Sequence, residues 1–204
     1  MKRKTAFTLI EVLVVVAIIA LLVGILLPSL ASARTQARRV TCATQLHQVG
    51  VAMVAYMQDS RDRMPYVSDM PSLGLGPRPL YAPGKPIYFA DVLAKQLKGG
   101  REVLRCPNDT PGLTDRGAPN TGRSFFQSER SSYKYRDSLN GLTPLDFNKM
   151  PHGRPGHEHQ HPQDRHPAES IWFACDYWNF HGKEGQIGAR RYVYIDGHVS
   201  DYEN

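Results

Sequence analysis

One carboxylate stands among apolar residues near the start of the chain. Glu11 is the only charged residue in the 21-residue run F-T-L-I-E-V-L-V-V-V-A-I-I-A-L-L-V-G-I-L-L from Phe7 to Leu27. In such surroundings a carboxylate is poorly solvated, so it needs either a cation partner or a route to water at the edge of the apolar zone. A second concentration of chemistry is His152, His157, His159, His161 and His166, five of the eight histidines within 15 residues. The two-residue spacing of His157, His159 and His161 lets imidazoles share a transition metal on an extended chain, with Glu158 or Asp164 adding oxygen. Pro155, Gly156, Pro162 and Pro167 favour the other reading of that stretch, a solvated loop without metal. Three cysteines, Cys42, Cys106 and Cys175, complete the reactive inventory. G-x-S-x-G, H-E-x-x-H and a phosphate loop are all absent, so no catalytic residues are assigned and an enzyme is not expected.

The elements that position these groups begin with the apolar run. At about 1.5 Å per residue, a helix over Phe7 to Leu27 spans about 30 Å, the thickness of a bilayer's hydrocarbon core. A secretory signal has a shorter apolar part, although Ser29, Ala31, Ser32 and Ala33 offer small residues at which such a signal would be removed. Lys2, Arg3 and Lys4 hold the N-terminus on the cytoplasmic side and place the remainder across the membrane. The expected location is therefore the inner membrane, crossed once, with the C-terminal domain on the periplasmic or outer side. The formal charge of +6 includes those three residues. Without them 22 basic residues face 19 acidic ones, +3, and no nucleic-acid partner is expected.

Beyond the run, Ala43, Leu46, Gly50, Met53 and Met57 recur at helical spacing, while Arg38, Thr41, Gln45 and Gln48 fall on another face. The helix is thus expected to continue to about residue 60, kinked rather than ended by Pro28. After Arg61 the composition changes, since 14 of 15 prolines and 15 of 17 glycines lie there. Strands are expected at Ser132 to Tyr135, Ile171 to Cys175 and Tyr192 to Ile195, and a short helix at Phe89 to Lys98. Asp196-Gly197 predicts a two-residue hairpin turn into a strand at His198 to Tyr202. The fold class is α+β: a long N-terminal helix over residues 7–60, about 7–30 of it transmembrane, packed on a small antiparallel sheet in a loop-rich domain over 61–204. An envelope location permits a disulfide. Cys42 lies just beyond the membrane and Cys106 in a polar, proline-containing loop, so these two are expected to pair, leaving Cys175 as a buried thiol within an apolar strand. With no C-x-x-C present, a structural zinc site is not expected.

Lys4-Thr5-Ala6, the following F-T-L-I-E at Phe7 to Glu11, and the apolar run ending before Pro28 resemble the N-terminus of type IV prepilins and type II secretion pseudopilins. The resemblance implies a leader over residues 1–6, cut by prepilin peptidase between Ala6 and Phe7, with methylation of the new N-terminal Phe7. It makes Glu11 the fifth residue of the mature chain and an assembly residue. Glycine usually precedes the cut, where this chain has Ala6. The pieces C-A-T-Q-L-H-Q-V-G at Cys42 to Gly50, V-L-R-C-P-N-D at Val103 to Asp109, S-Y-K-Y, and Y-V-Y-I-D-G-H-V at Tyr192 to Val199 resemble a planctomycete-type subgroup of pilin-like proteins. That subgroup ends in a histidine, nine residues, then Asp-Gly. Asp196-Gly197 matches, but the histidine position is Gln186 and the nearest preceding histidine is His181, which is given no role. Some pseudopilins hold calcium in a C-terminal loop, and Asp176, Asp196 and Asp201 are oxygen donors of that kind. No cofactor is otherwise expected.

These readings converge on a pilin-like structural subunit, pseudopilin or pilus-like, whose partners are prepilin peptidase, other pilin or pseudopilin subunits and the inner membrane. The alternative is a membrane-anchored envelope enzyme or metal-binding protein that uses the leader only for export.

Overall fold

Apolar residues without a breaker, followed by a 3.6-residue stripe, produce a single helix, α1, over Leu9–Asp59 in a computed structural model of the chain. The structure describes residues 9–68, 70–73, 86–111, 122–143, 146, 171–182 and 188–201. The chain divides into two compact units, Met1–Val40 and Thr41–Asn204. In the first unit, α1 carries its large apolar side chains exposed from Leu9 to Leu30. Pro28 lies inside the helix and removes one backbone donor there. One residue on, Ser29 Oγ donates to the carbonyl of Leu26 at 2.9 Å.

In the second unit, the C-terminal part of α1 buries Cys42, Leu46, Val49, Gly50, Ala52, Met53 and Met57, which is the expected stripe with Cys42, Val49 and Ala52 added and Ala43 only half-buried. The helix stops where Arg61 and Asp62 both take positive φ, 56° and 57°, and the Asp62 N–H turns back to the carbonyl of Met57 at 2.9 Å. Four strands follow in a meander: β1 (Tyr133–Tyr135), β2 (Trp172–Asp176), β3 (Arg191–Tyr194) and β4 (Val199–Asp201). Neighbours are antiparallel in the order β1-β2-β3-β4. Lys134 sits opposite Cys175 in the first pair and Val193 opposite Val199 in the last. The α+β class and the long helix on a small antiparallel sheet are what the residue pattern predicts.

Gly50 explains how closely helix and sheet approach. A Cβ built there would lie 3.1 Å from Val193 Cγ2 and 3.2 Å from the Gly197 Cα, so any side chain at this position would press on the sheet and the hairpin at the depth where the helix settles. Next to it, His47 Nδ1 is 2.9 Å from the carbonyl oxygen of Gly197. Around this contact Leu46, Met53, Tyr133, Tyr135, Phe173 and Val193 form part of one continuous core.

Two local expectations need correction. The helix expected over Phe89 to Lys98 is a single turn, α2 (Phe89–Val92), continued by irregular turns in which Lys98 and Gly99 both reach positive φ. The hairpin between β3 and β4 has three loop residues rather than two. Gly197 N–H donates to Tyr194 O at 2.9 Å and Tyr194 N–H to His198 O at 3.0 Å, closing Ile195, Asp196 and Gly197 between them. Gly197 takes φ 89°, the left-handed residue that follows a type I turn in such loops. The longer loop leaves Ile195 buried in the core.

Candidate functional site

Two places concentrate chemistry. The first is the start of α1, where Glu11 lies in the first turn and is exposed, as are Leu9, Ile10, Val12 and Leu13 beside it. The carboxylate therefore sits on an apolar helix surface, and the span around it is long and apolar enough to cross a membrane. Ala6 and Phe7 lie outside the described residues.

The second is a buried cluster in the domain, Cys42, Cys106, Asp176 and His181, whose ligand-type atoms all lie within 4.8 Å of one another. Four segments deliver it. The buried stripe of α1 supplies Cys42. Cys106 follows a 3-10 turn over Arg101–Leu104 and is fixed by its N–H, which donates to Ser132 Oγ at 3.0 Å. Asp176 ends β2. His181 comes five residues later, its N–H bonded to the carbonyl of Ala189 at 3.1 Å.

Within the cluster the two sulfurs are 2.8 Å apart. Tyr133 Oη is 3.2 Å from Cys42 Sγ and donates to Gln45 Oε1 at 3.0 Å. Asp176 Oδ2 accepts the Arg191 N–H at 2.8 Å and lies 3.6 Å from His181 Nε2. The orientation of the imidazole follows from its other side. Asn108 Nδ2 donates to the Phe180 carbonyl at 3.0 Å, which fixes the amide, and the same nitrogen stands 3.3 Å from His181 Nδ1. Nδ1 is thus the acceptor, and the ring hydrogen sits on Nε2, facing Asp176 and, at 3.8 Å, Cys106 Sγ.

Burial governs the charges here. The Asp176 carboxyl is pushed up to about 7 by desolvation, against the Arg191 N–H and the charges of Arg190 and Arg191. The Cys42 thiol is pushed far up, first by its hydrogen bond with Cys106, then by burial and the Asp176 charge. Tyr133 is pushed up mainly by burial, with the Cys42 charge next. The site is built to keep its sulfur protonated or bonded, not to hold a thiolate nucleophile.

Two thiols, an imidazole and a carboxylate are also a donor set for tetrahedral zinc. A metal-bound histidine donates its second ring N–H to an acceptor, whereas Nδ1 of His181 meets an amide donor, so this arrangement argues against a metal bound through Nε2. His181, to which its place in the sequence assigns no role, is buried as a member of the cluster. No residue pattern signals that convergence, because Cys42 and Asp176 are 134 positions apart.

The remaining candidates fall elsewhere. Cys175 is buried in β2 and is not a member of the cluster. The histidines at 152, 157, 159, 161 and 166 lie outside the described residues. Asp196 bonds His198 Nδ1 at 2.6 Å and Asp201 faces Arg191 Nε at 3.7 Å. Among the described residues, neither joins Asp176 in a group of three metal-type ligands.

The prokaryotic N-terminal methylation motif matches residues 1–27 of the chain. No curated protein and no solved structure matches it. Over residues 1–27, which include the start of the exposed apolar helix, the chain thus carries a prepilin-type N-terminal motif of the kind found in type IV pilin-like proteins.

Proposed function

We propose, with a prepilin-type N-terminus as the premise, that this protein is a structural subunit of a type IV pilus-like fibre or a type II secretion pseudopilus. Prepilin peptidase removes residues 1–6, Phe7 becomes the methylated N-terminus, and the mature chain stays in the inner membrane through α1 until it assembles. The observation that carries the reading is the methylation motif opening directly onto an apolar helix whose early carboxylate is Glu11. In a bundle of such helices, Glu11 pairs with the N-terminal amine of Phe7 on a neighbouring subunit, which neutralises both charges and sets the axial register. An anchored enzyme would need an accessible reactive site. Among the described residues the one convergent cluster is buried and its thiol is held unreactive.

Two measurements test the reading. Intact mass of the membrane-extracted protein should show a chain that begins at Phe7 with one added methyl group, and a start beyond Ser29 would remove the anchor altogether. Glu11→Gln should insert at least as well as the parent, since charges in membrane helices cost up to about 3 kcal/mol on translocon scales. Assembly should fall, because deleting one half of a buried pair costs about 3–5 kcal/mol, a factor of a few hundred or more per contact. Cross-linked or shear-released oligomer, compared at equal membrane levels, reads the difference. Equal oligomer yield would reject the pairing and favour the anchored alternative.

A further inference from the structure

We propose that Cys42 and Cys106 form a disulfide that closes before the domain core does and cannot be exchanged once the chain is folded. The inference rests on the export reading above, since an oxidising compartment supplies the oxidant. Its direct support is geometric. The two sulfurs stand 2.8 Å apart, within about 0.8 Å of a bonded distance, and no other thiol joins them in the cluster. The imidazole beside them turns Nδ1 to the amide donor of Asn108, which counts against the main competing use of two adjacent cysteines, a metal bound through Nε2.

The order of events follows from access. Cys42 is 0% and Cys106 1% exposed, so no exchange partner reaches either sulfur in the folded domain. Exchange also needs a thiolate. Burial, the neighbouring thiol and the Asp176 carboxylate all disfavour one at Cys42. Oxidation must therefore occur while the segment around Cys106 is still open. One thiol, as thiolate, attacks the disulfide of an envelope thiol-exchange protein and releases one of its sulfurs. The second cysteine then displaces the other sulfur. Two protein thiols become one protein disulfide, the oxidant becomes a dithiol, and both cysteine protons end on that dithiol. After closure the same burial that blocks oxidation blocks reduction.

The test uses the full chain extracted from membranes in detergent. Peptide mapping after unfolding without reductant should show Cys42 linked to Cys106 and Cys175 open to alkylation. Added dithiol reductant should break the link at least about ten-fold more slowly in the native chain than in the unfolded one. Cys175→Ser should leave the link unchanged. Free Cys42 and Cys106 in a chain that begins at Phe7 would overturn the proposal while leaving the pilin-like reading intact. So would one equivalent of bound zinc with both thiols reduced. Reduction of the native chain as fast as the unfolded one would overturn the locking. A chain still carrying Met1 with reduced thiols, but linked between Cys42 and Cys106 after refolding in oxidised glutathione, would support the disulfide and overturn the export reading.

Discussion

Asp176 is almost fully buried and yet ionisable, which gives the domain a pH signature of definite sign. The groups facing it are Cys42, Tyr133, His181, Arg190 and the backbone and side chain of Arg191. Its carboxyl is raised from 3.8 to about 7 in the fold, chiefly by desolvation. Between those values the folded chain keeps a proton that the unfolded chain has released, so stability is highest on the acid side and falls as pH rises from about 4 to about 7. The slope approaches about 1.4 kcal/mol per pH unit inside that window and vanishes above it. Asp109 is raised by burial too and contributes in the same direction. Thermal unfolding of the detergent-solubilised chain across this range should show the fall, and Asp176→Asn should remove most of it. Stability rising from pH 5 to pH 7 would contradict the burial account.

Asp109 carries a second residue-scale prediction. Its carboxylate accepts from Phe125 N–H at 3.0 Å, Phe126 N–H at 2.8 Å and Ser132 Oγ at 2.7 Å, and so holds the first turn of the short helix α3 (Phe125–Glu129). Ser124 caps the same helix in a reciprocal box with Gln127. Losing a cap costs about 1 kcal/mol, whereas Asp109→Ala strands three donors, each worth about 1–3 kcal/mol when unsatisfied. Asp109→Ala should therefore lower stability by at least twice as much as Ser124→Ala in chemical unfolding. The capping pair S-x-x-Q is a legible helix start in the sequence, but five helical residues leave no periodicity to support it.

At the scale of elements, the contact between α1 and the sheet turns on Gly50. Alanine there would gain about 1 kcal/mol of helix propensity, but its Cβ would press on Val193 and on the Gly197 backbone at 3.1–3.2 Å. Overpacking typically costs about 1–3 kcal/mol, and the backbone of a hairpin yields less than a side-chain end does. Gly50→Ala should be neutral to mildly destabilising and Gly50→Val clearly destabilising, as read by the denaturant midpoint of the domain transition. A valine variant as stable as the parent would mean that the helix can lift off the sheet without loss. The proposed disulfide would act at the same scale. On the loop-entropy account, closing a 64-residue separation between Cys42 and Cys106 would stabilise the domain by about 4 kcal/mol, and Cys42→Ser would then lose about that much.

Across the whole molecule, the parts legible in the sequence are those set by local patterns. The apolar run and its stripe gave α1 to within a few residues of Leu9–Asp59. The short pieces rich in aromatic and aliphatic residues predict β1, β2 and β3 to within a residue at each end. What local patterns cannot carry is convergence. Nothing near Cys42 announces Asp176 or His181, and the displacement of His181 from its motif position says nothing of its place in space. The length of the hairpin loop is hidden for a related reason. Asp-Gly suits both a two-residue and a three-residue loop, and the choice was made by Ile195 reaching the core.

The contact between His47 and Gly197 joins positions 150 apart. During synthesis at about 5–20 residues per second, a separation of this size corresponds to roughly 8–30 s in which the stripe of Leu46, Gly50, Met53 and Met57 has been made while the hairpin that covers it has not. Through that interval α1 presents an apolar face in the residues that follow its long apolar run, and the folding of the domain waits on its most distant strands. A chain truncated before β3 would hold that face open permanently, and we expect it to be found as a degradation or aggregation product rather than as a smaller stable protein.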